Sequence, residues 1–486
     1  MLLFSGLVYP VSLLLSSSIY FIFLAAVFFL YWPLSEVSER FVPFYGAGLA
    51  VILFANYFFY ARWDFYYLIL IPAASTCDYF IGLGLQDSHN PRVRKLLVTA
   101  SIVMNLGLLA FFKYMPFFLG TWADATGHAA PAWRWTLPLS LSFYVFQALT
   151  YTIDLYRGDA KGTRSYLLHL TSVSFFPTIL AGPITRVSSL MDQFQKRRFL
   201  TPAEGGQALF LIGMGLMKKL MIADYLASNL VDRVFDFPNL YTGSETLIAV
   251  YAYAVQIYYD FSGYTDIAMG SAMLLGMKLP PNFKRPYAAA SIADFWRRWH
   301  ISLSNWLRDY LYFSLPGKRS KVAPYVNLII TMVIGGLWHG ASWTFVAWGA
   351  LHGVGLAAVH YVQTAFPAAK GAPVSRWWRI GRSALTFHFV VFAWIFFRAS
   401  SFENAGQILS RIASLTVSFA NVPWPLVLVL AVALAAHYLP QKWYEFSLTV
   451  YTRAPFYAQA AALVLLVIGL QNVMQTGAAP FVYTKF

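Results

Sequence analysis

Residues 282–321 read NFKRPYAAASIADFWRRWHISLSNWLRDYLYFSLPGKRSK, and after an apolar run residues 335–353 read GGLWHGASWTFVAWGALHG. The first stretch is the densest run of charge in an otherwise apolar chain. Between Ile292 and Leu311 the residues Ile292, Phe295, Trp296, Trp299, Leu303, Trp306, Leu307 and Tyr310 recur at helical spacing, with Arg297, Arg298, Ser304, Asn305 and Arg308 opposite. That pattern predicts one amphipathic helix lying on a surface rather than a span. From Tyr325 to Trp338 the sequence is uncharged; it ends on His339 between two glycine-rich bends, and a second apolar run begins at Ala341. An ionisable group inside hydrophobic sequence is costly, which makes His339 a candidate functional residue. Its structural alternative is a histidine that bonds a carbonyl freed by a helix break. His300, at the edge of the amphipathic face, and His352, beside an aromatic-rich span, invite the same two readings.

The composition sets the fold class. Of 486 residues 59% are hydrophobic, 18% aromatic and 11% charged, with a mean hydropathy of +0.57; soluble domains carry about a quarter charged residues. The chain reads as an all-α, polytopic integral membrane protein, a single domain over 1–486 without internal repeats. Apolar runs at 10–32, 42–61, 65–85, 96–119, 136–156, 207–231, 246–277, 323–338, 341–363, 383–397, 424–439 and 457–473 give about twelve crossings. The run from Pro10 to Trp32 lacks a basic leader and reads as the first of them rather than a cleavable signal. Basic residues cluster in the loops around Arg92–Lys95, Arg157–Arg198, Lys284–Lys321 and Lys370–Arg382, which places those loops in the cytoplasm and both termini outside. The net charge of +15 is therefore topological, and it does not point to nucleic acid.

Several features imply an interior that is not wholly apolar. Residues 165–182, SYLLHLTSVSFFPTILAG, are apolar with basic flanks and a proline at 177, so this segment is expected to dip into the bilayer and return. Lys218 and Lys219 fall inside one span and Asp260 and Asp266 inside another, each requiring a partner or a wet cavity. No metal is expected: Cys77 is the sole cysteine, and His300, His339, His352 and His360 have no zinc-site spacing. Neither a phosphate-binding loop nor a serine-hydrolase elbow is present. A histidine without a serine partner points to direct general-base chemistry.

The runs DLYRG (154–158), FFPTILAGPITR (175–186), DFSGYTDIAMG (260–270), NFKRPY (282–287), DFWRRWHISLSNWLRDYLYF (294–313) and GGLWHGASWTFVAWGALHG (335–353) together resemble the membrane-bound O-acyltransferase family. Within it they are most similar to the alginate O-acetylation branch and its peptidoglycan and cellulose relatives, over most of the chain from Phe54 to Phe397. The resemblance implies a helical bundle hollowed by a funnel, with re-entrant and amphipathic helices around it. It also implies His339 as the family's invariant histidine, His300 as a second histidine near it, and transfer of an acyl group from a cytoplasmic thioester to an outside hydroxyl. Acetyl-CoA is the expected donor and no permanently bound cofactor is expected. SLPGKRSK at 314–321 departs from the SLGGNR of alginate-type sequences and leaves the polysaccharide open.

Coenzyme A carries phosphates, so Lys284, Arg285, Arg297, Arg298 and Arg308, with Lys318 and Arg319, are candidate donor-binding residues; orientation signal and contact with lipid headgroups are the alternative. The resemblance further implies an extracytoplasmic, esterase-like acetyltransferase partner and a bacterial inner-membrane location. The terminal FVYTKF (481–486) resembles an acyl-transfer motif, making Tyr483 a candidate acyl carrier; an interfacial aromatic anchor is the alternative. Two other functions compete: D-alanyl transfer to teichoic acid, and a transporter or channel, against which the lack of two similar halves argues.

Overall fold

The computed structural model describes residues 15–40, 46–61, 67–133, 135–138, 140–179, 182–196, 199–317, 320, 322–366 and 375–474. All regular structure among them is helical. The chain divides into two compact units, Met1–Ile212 with Asp266–Pro280, and Gly213–Thr265 with Pro281–Phe486.

The first unit contains α1 (Ser18–Arg40), α2 (Ala47–Ala61), α3 (Tyr67–Asp87), α4 (Pro91–Leu109), α5 (Met115–Thr126), α6 (Leu141–Arg157), α7 (Tyr166–Val173), α8 (Phe176–Ile179), α9 (Val187–Gln195) and most of α10 (Pro202–Leu216). The segment expected to break does so between α7 and α8, and side chains claim several of the backbone groups that the break frees. Asn56 donates to Thr171 O and Ser174 Oγ and accepts from Phe176 N, Tyr60 Oη donates to Ser174 O, and Gln147 donates to Ser172 O and Val173 O. Irregular backbone among apolar residues survives only with such partners. A second buried polar set joins Asp78, which accepts from Ser101 Oγ at 2.7 Å and Asn105 Nδ2 at 2.9 Å.

The second unit begins with the end of α10, π-helical turns at Met217–Asp224 and Ala227–Val231, and α11 (Asp232–Asp236). It continues with α12 (Gly243–Leu274, the last turns of which belong to the first unit), α13 (Ile292–Trp296), α14 (Ile301–Trp306), α15 (Ala323–His339), α16 (Trp343–Ala365), α17 (Arg376–Arg398), α18 (Phe402–Ala413), α19 (Trp424–Tyr438), α20 (Gln441–Arg453) and α21 (Phe456–Met474). Its core is aromatic. Trp299, Trp348 and Trp394 are fully buried, with Trp348 stacked on Trp394 at 5.6 Å between ring centroids.

Among the described residues each of the twelve apolar runs overlaps helical structure, but fewer qualify as full crossings. Among the described residues five helical stretches are long and apolar enough: Ser18–Glu36, Leu68–Asp87, Pro91–Thr126, Trp343–Ala365 and Arg376–Arg398. The pair α19 and α20, bent by 96°, would make six, and Ala47–Ala61, Ala323–His339 and Phe456–Leu470 are shorter apolar helices. The difference has a physical reason. Hydropathy windows cannot tell which residues face protein: α6, for example, buries Gln147, Thr150, Thr152 and Asp154.

Two local expectations are corrected. Residues 292–311 are not one helix: α13 ends at Trp296, Arg297–Trp299 turn, His300 takes a left-handed backbone (φ 42°, ψ 54°), and α14 then runs into a π turn at Leu307–Leu311. The apolar face is nonetheless the one expected, since all eight of its named residues are buried. Gly335 and Gly336 do not bend the chain before His339 either; both lie within α15. They are packing residues. A Cβ on Gly336 would sit 2.2 Å from Phe345 O, and one on Gly349 would sit 2.4 Å from Met332 O, so α15 and α16 cross nearly backbone to backbone.

Candidate functional site

The close crossing of α15 and α16 sets the position of His339. As the last residue of α15, capped by extended Gly340, it points into the aromatic core and is 4% exposed. Its ring centroid lies 5.0 Å from Trp338, 5.2 Å from Trp348 and 5.3 Å from Phe397. His300 lies 6.1 Å away, fully buried, edge-on to Phe261 at 4.6 Å and 6.0 Å from Trp338. The break between α13 and α14 is what turns His300 inward. On an uninterrupted helix it would have sat at the edge of the apolar stripe. Burial pushes the His300 imidazole down to about 3, so it is neutral at physiological pH.

His300 is held from behind by a residue that sequence reasoning passed over. Asn282 Oδ1 lies 3.2 Å from His300 Nδ1 and accepts from Ser302 Oγ at 2.9 Å and from Ser302 N at 3.2 Å. Asn282 O also accepts from Ile301 N at 2.9 Å, and Arg298 O accepts from Lys284 N at 2.9 Å, so the NFKRPY run is tied along residues 298–302. The available signal was the polar residue opening that otherwise aromatic and basic run.

His352, one turn beyond Trp348 on α16, is fully buried at 4.8 Å from that indole and accepts at Nδ1 from Trp296 Nε1 at 3.3 Å. Trp348 thus touches both His339 and His352. No contact between the two histidines is needed to explain either position.

The basic candidates are arranged differently from a preformed anion cradle. Arg298 Nε lies 3.0 Å and Arg297 Nη2 3.9 Å from Asp294 Oδ1, Arg308 Nε 2.8 Å from Asp309 Oδ1, and Arg285 donates to Tyr438 O at 3.0 Å. Lys284 is exposed. Lys318, Arg319 and Tyr483 lie outside the described residues.

Deeper in the same unit, Lys219 Nζ is 2.7 Å from Asp224 Oδ1 and 2.8 Å from Asp260 Oδ1. Asp260 thereby receives the partner its place in an apolar run demanded. Asp260 precedes Phe261, whose ring meets His300. Among the described residues no group of three or more His, Cys, Asp or Glu side chains could hold a metal ion.

Comparison with known proteins agrees in class. The chain is 40% identical over 373 residues to a probable alginate O-acetylase of Pseudomonas syringae pv. tomato, covering 75% of this chain and 70% of that one. It is 34% identical over 391 residues to the peptidoglycan O-acetyltransferase of Helicobacter pylori, covering 75% and 73%. A teichoic acid D-alanyltransferase of Bacillus subtilis is 28% identical over 282 residues, 55% of this chain and 70% of that one. Residues 13–402 match the membrane-bound O-acyltransferase family. With helices fit to enter a bilayer and a match over most of its length, this chain belongs to the membrane-bound O-acyltransferase family and is an O-acyltransferase.

Proposed function

We propose that the chain takes an acetyl group from cytoplasmic acetyl-CoA and moves it across a bacterial inner membrane for O-acetylation of an extracytoplasmic polysaccharide. The observation that carries this reading is the buried pair His339 and His300, 6.1 Å apart at the end of an apolar helix. His339 removes the acceptor hydroxyl proton as the new C–O bond forms; the C–S bond then breaks and the thiolate takes the proton, giving an ester and a free thiol. His300 stands beside the reacting groups as the second imidazole. Acetyl ranks above D-alanyl because the O-acetylase and O-acetyltransferase relatives match over more of the chain at higher identity.

The donor's charges keep it on the cytoplasmic side. Even one charged side chain at mid-bilayer costs about 2.5–3.5 kcal/mol or more, so only the neutral acetyl group crosses, through a funnel in a bundle of about twelve crossings. Lys284, Arg285, Arg297, Arg298 and Arg308 bind the CoA phosphates. The ion pairs of Arg297, Arg298 and Arg308 with Asp294 and Asp309 would be exchanged for pairs with phosphate. Tyr483 carries the acetyl group outside and hands it to an esterase-like partner protein that modifies the glycan.

The test is acetyl transfer from labelled acetyl-CoA by purified protein in proteoliposomes, with the partner protein and acceptor glycan supplied outside. His339→Ala should lower turnover by roughly 10²–10⁴-fold at normal expression, the contribution of a positioned base. Wild-type turnover in that variant overturns the site assignment. Passage of intact CoA without transfer would favour a transporter, and transfer of D-alanine alone the other acyl group.

A further inference from the structure

The polar ties of His300 have a consequence for its chemistry. The Asn282 carboxamide atom that faces Ser302 N must be oxygen, because a backbone N–H can only donate. That same oxygen lies 3.2 Å from His300 Nδ1, so Nδ1 bears the hydrogen. A neutral imidazole has one N–H, which leaves Nε2 as the basic nitrogen. The backbone adds a second reason for the contact. A left-handed conformation at a residue other than glycine is strained. Asn282 holds the strained turn from both of its own ends, with its carbonyl on Ile301 N and its side chain on Ser302 N, Ser302 Oγ and His300 Nδ1.

We propose that Asn282 is the positioning residue of the histidine pair, fixing His300 in the Nδ1–H tautomer and in its inward turn so that the Nε2 lone pair serves the transfer reaction. The proposal rests on the reading of His339 and His300 as the reacting pair. Among the described contacts of His300, α12 presents Phe261, the 282–284 segment presents Asn282, and α15 presents Trp338 and the titratable His339. A charge introduced at position 282 would therefore be felt first by His300.

The test compares Asn282→Ala, Asn282→Asp, His300→Ala and His339→Ala in full-length protein in proteoliposomes supplied with the partner protein and acceptor glycan, following kcat and KM for acetyl-CoA against pH. Asn282→Ala should lose roughly 10–100-fold in kcat, the scale known for removing the orienting partner of a metal-bound imidazole, with KM little changed. Asn282→Asp keeps the acceptor and adds a negative charge beside the Nδ1–H, which favours doubly protonated His300. It should recover turnover at high pH, while the acid limb of its kcat profile moves to higher pH than in the wild type. A purely structural asparagine would lower thermal stability and leave the shape of that profile alone. If Asn282→Ala does not fold, the Asn282→Asp profile decides. A wild-type acid limb in Asn282→Asp, with both histidine variants inactive, overturns the positioning role alone; active histidine variants overturn the reading beneath it.

Discussion

At Lys219 the backbone is reshaped to suit a side chain. Residues five apart on an α-helix project roughly 140° away from each other, so Lys219 could not reach Asp224 from a regular helix. Met217–Asp224 is instead π-helical, and its i to i+5 hydrogen bonding brings positions five apart onto one side, where the 2.7 Å ion pair forms. Asp260 comes from α12, which approaches closely because Gly263 has no Cβ: one there would meet Gly215 O at 2.7 Å. Removing one member of such a buried set leaves uncompensated charge. Lys219→Met should therefore destabilise the protein by about 3–5 kcal/mol, read as a lowered melting temperature in detergent. Adding Asp224→Asn and Asp260→Asn to it should return most of that loss. Tyr483→Phe keeps the ring and removes only the hydroxyl that the proposed carrier role requires, so on that proposal glycan acetylation with the partner present should collapse while membrane insertion stays normal. Full acetylation by that variant would make the residue an anchor.

Among the elements, the crossing of α15 and α16 places His339 and is the most sensitive to volume. Gly349→Ala would drive a methyl group into Met332 O, and overpacking of this kind costs about 1–3 kcal/mol. Transfer should fall with it, since α15 must shift. Gly406 in α18 has open space around its Cβ position, so Gly406→Ala should be neutral or stabilise by up to about 1 kcal/mol, through helix propensity. Melting temperatures of the two variants check both statements. The start of α12 is clipped to the segment after α18. Glu245 accepts from Thr242 N and Oγ1 and from Asn421 N and Nδ2. Burial works to raise the Glu245 carboxyl, and these hydrogen bonds more than offset it, leaving its pKa below the usual glutamate value. A depressed carboxylate contributes stability that is present above the unfolded pKa of about 4.3 and is lost as pH falls through the folded value. Glu245→Gln should remove that acid-side dependence and cost roughly 1–3 kcal/mol at neutral pH, measured as melting temperature against pH.

At the scale of the molecule, the proposed pathway needs a second protein, because among the described residues no segment between the helices is long or polar enough to fold into a glycan-binding domain. Reconstituted alone, the chain should take acetyl from the donor and leave polysaccharide unmodified; acetylated glycan from the isolated protein would remove the partner. The helical class, the membrane setting, the family and the apolar face of residues 292–311 are legible in the chain alone, because these follow from composition, periodicity and motif order, which are local properties of the chain. The sequence also singled out His339 and His300. Only the tertiary structure decided what surrounds them: the break that turns His300 inward, the asparagine eighteen positions earlier that holds it, the tryptophan and phenylalanine walls, and the partners of Lys219. Which of the apolar runs cross in full is likewise not legible in the sequence, since an apolar window has the same hydropathy whether it faces lipid or another helix. Those facts depend on which residues distant in the chain are brought within a few ångströms, and no pattern of spacing along one segment encodes its neighbour in another.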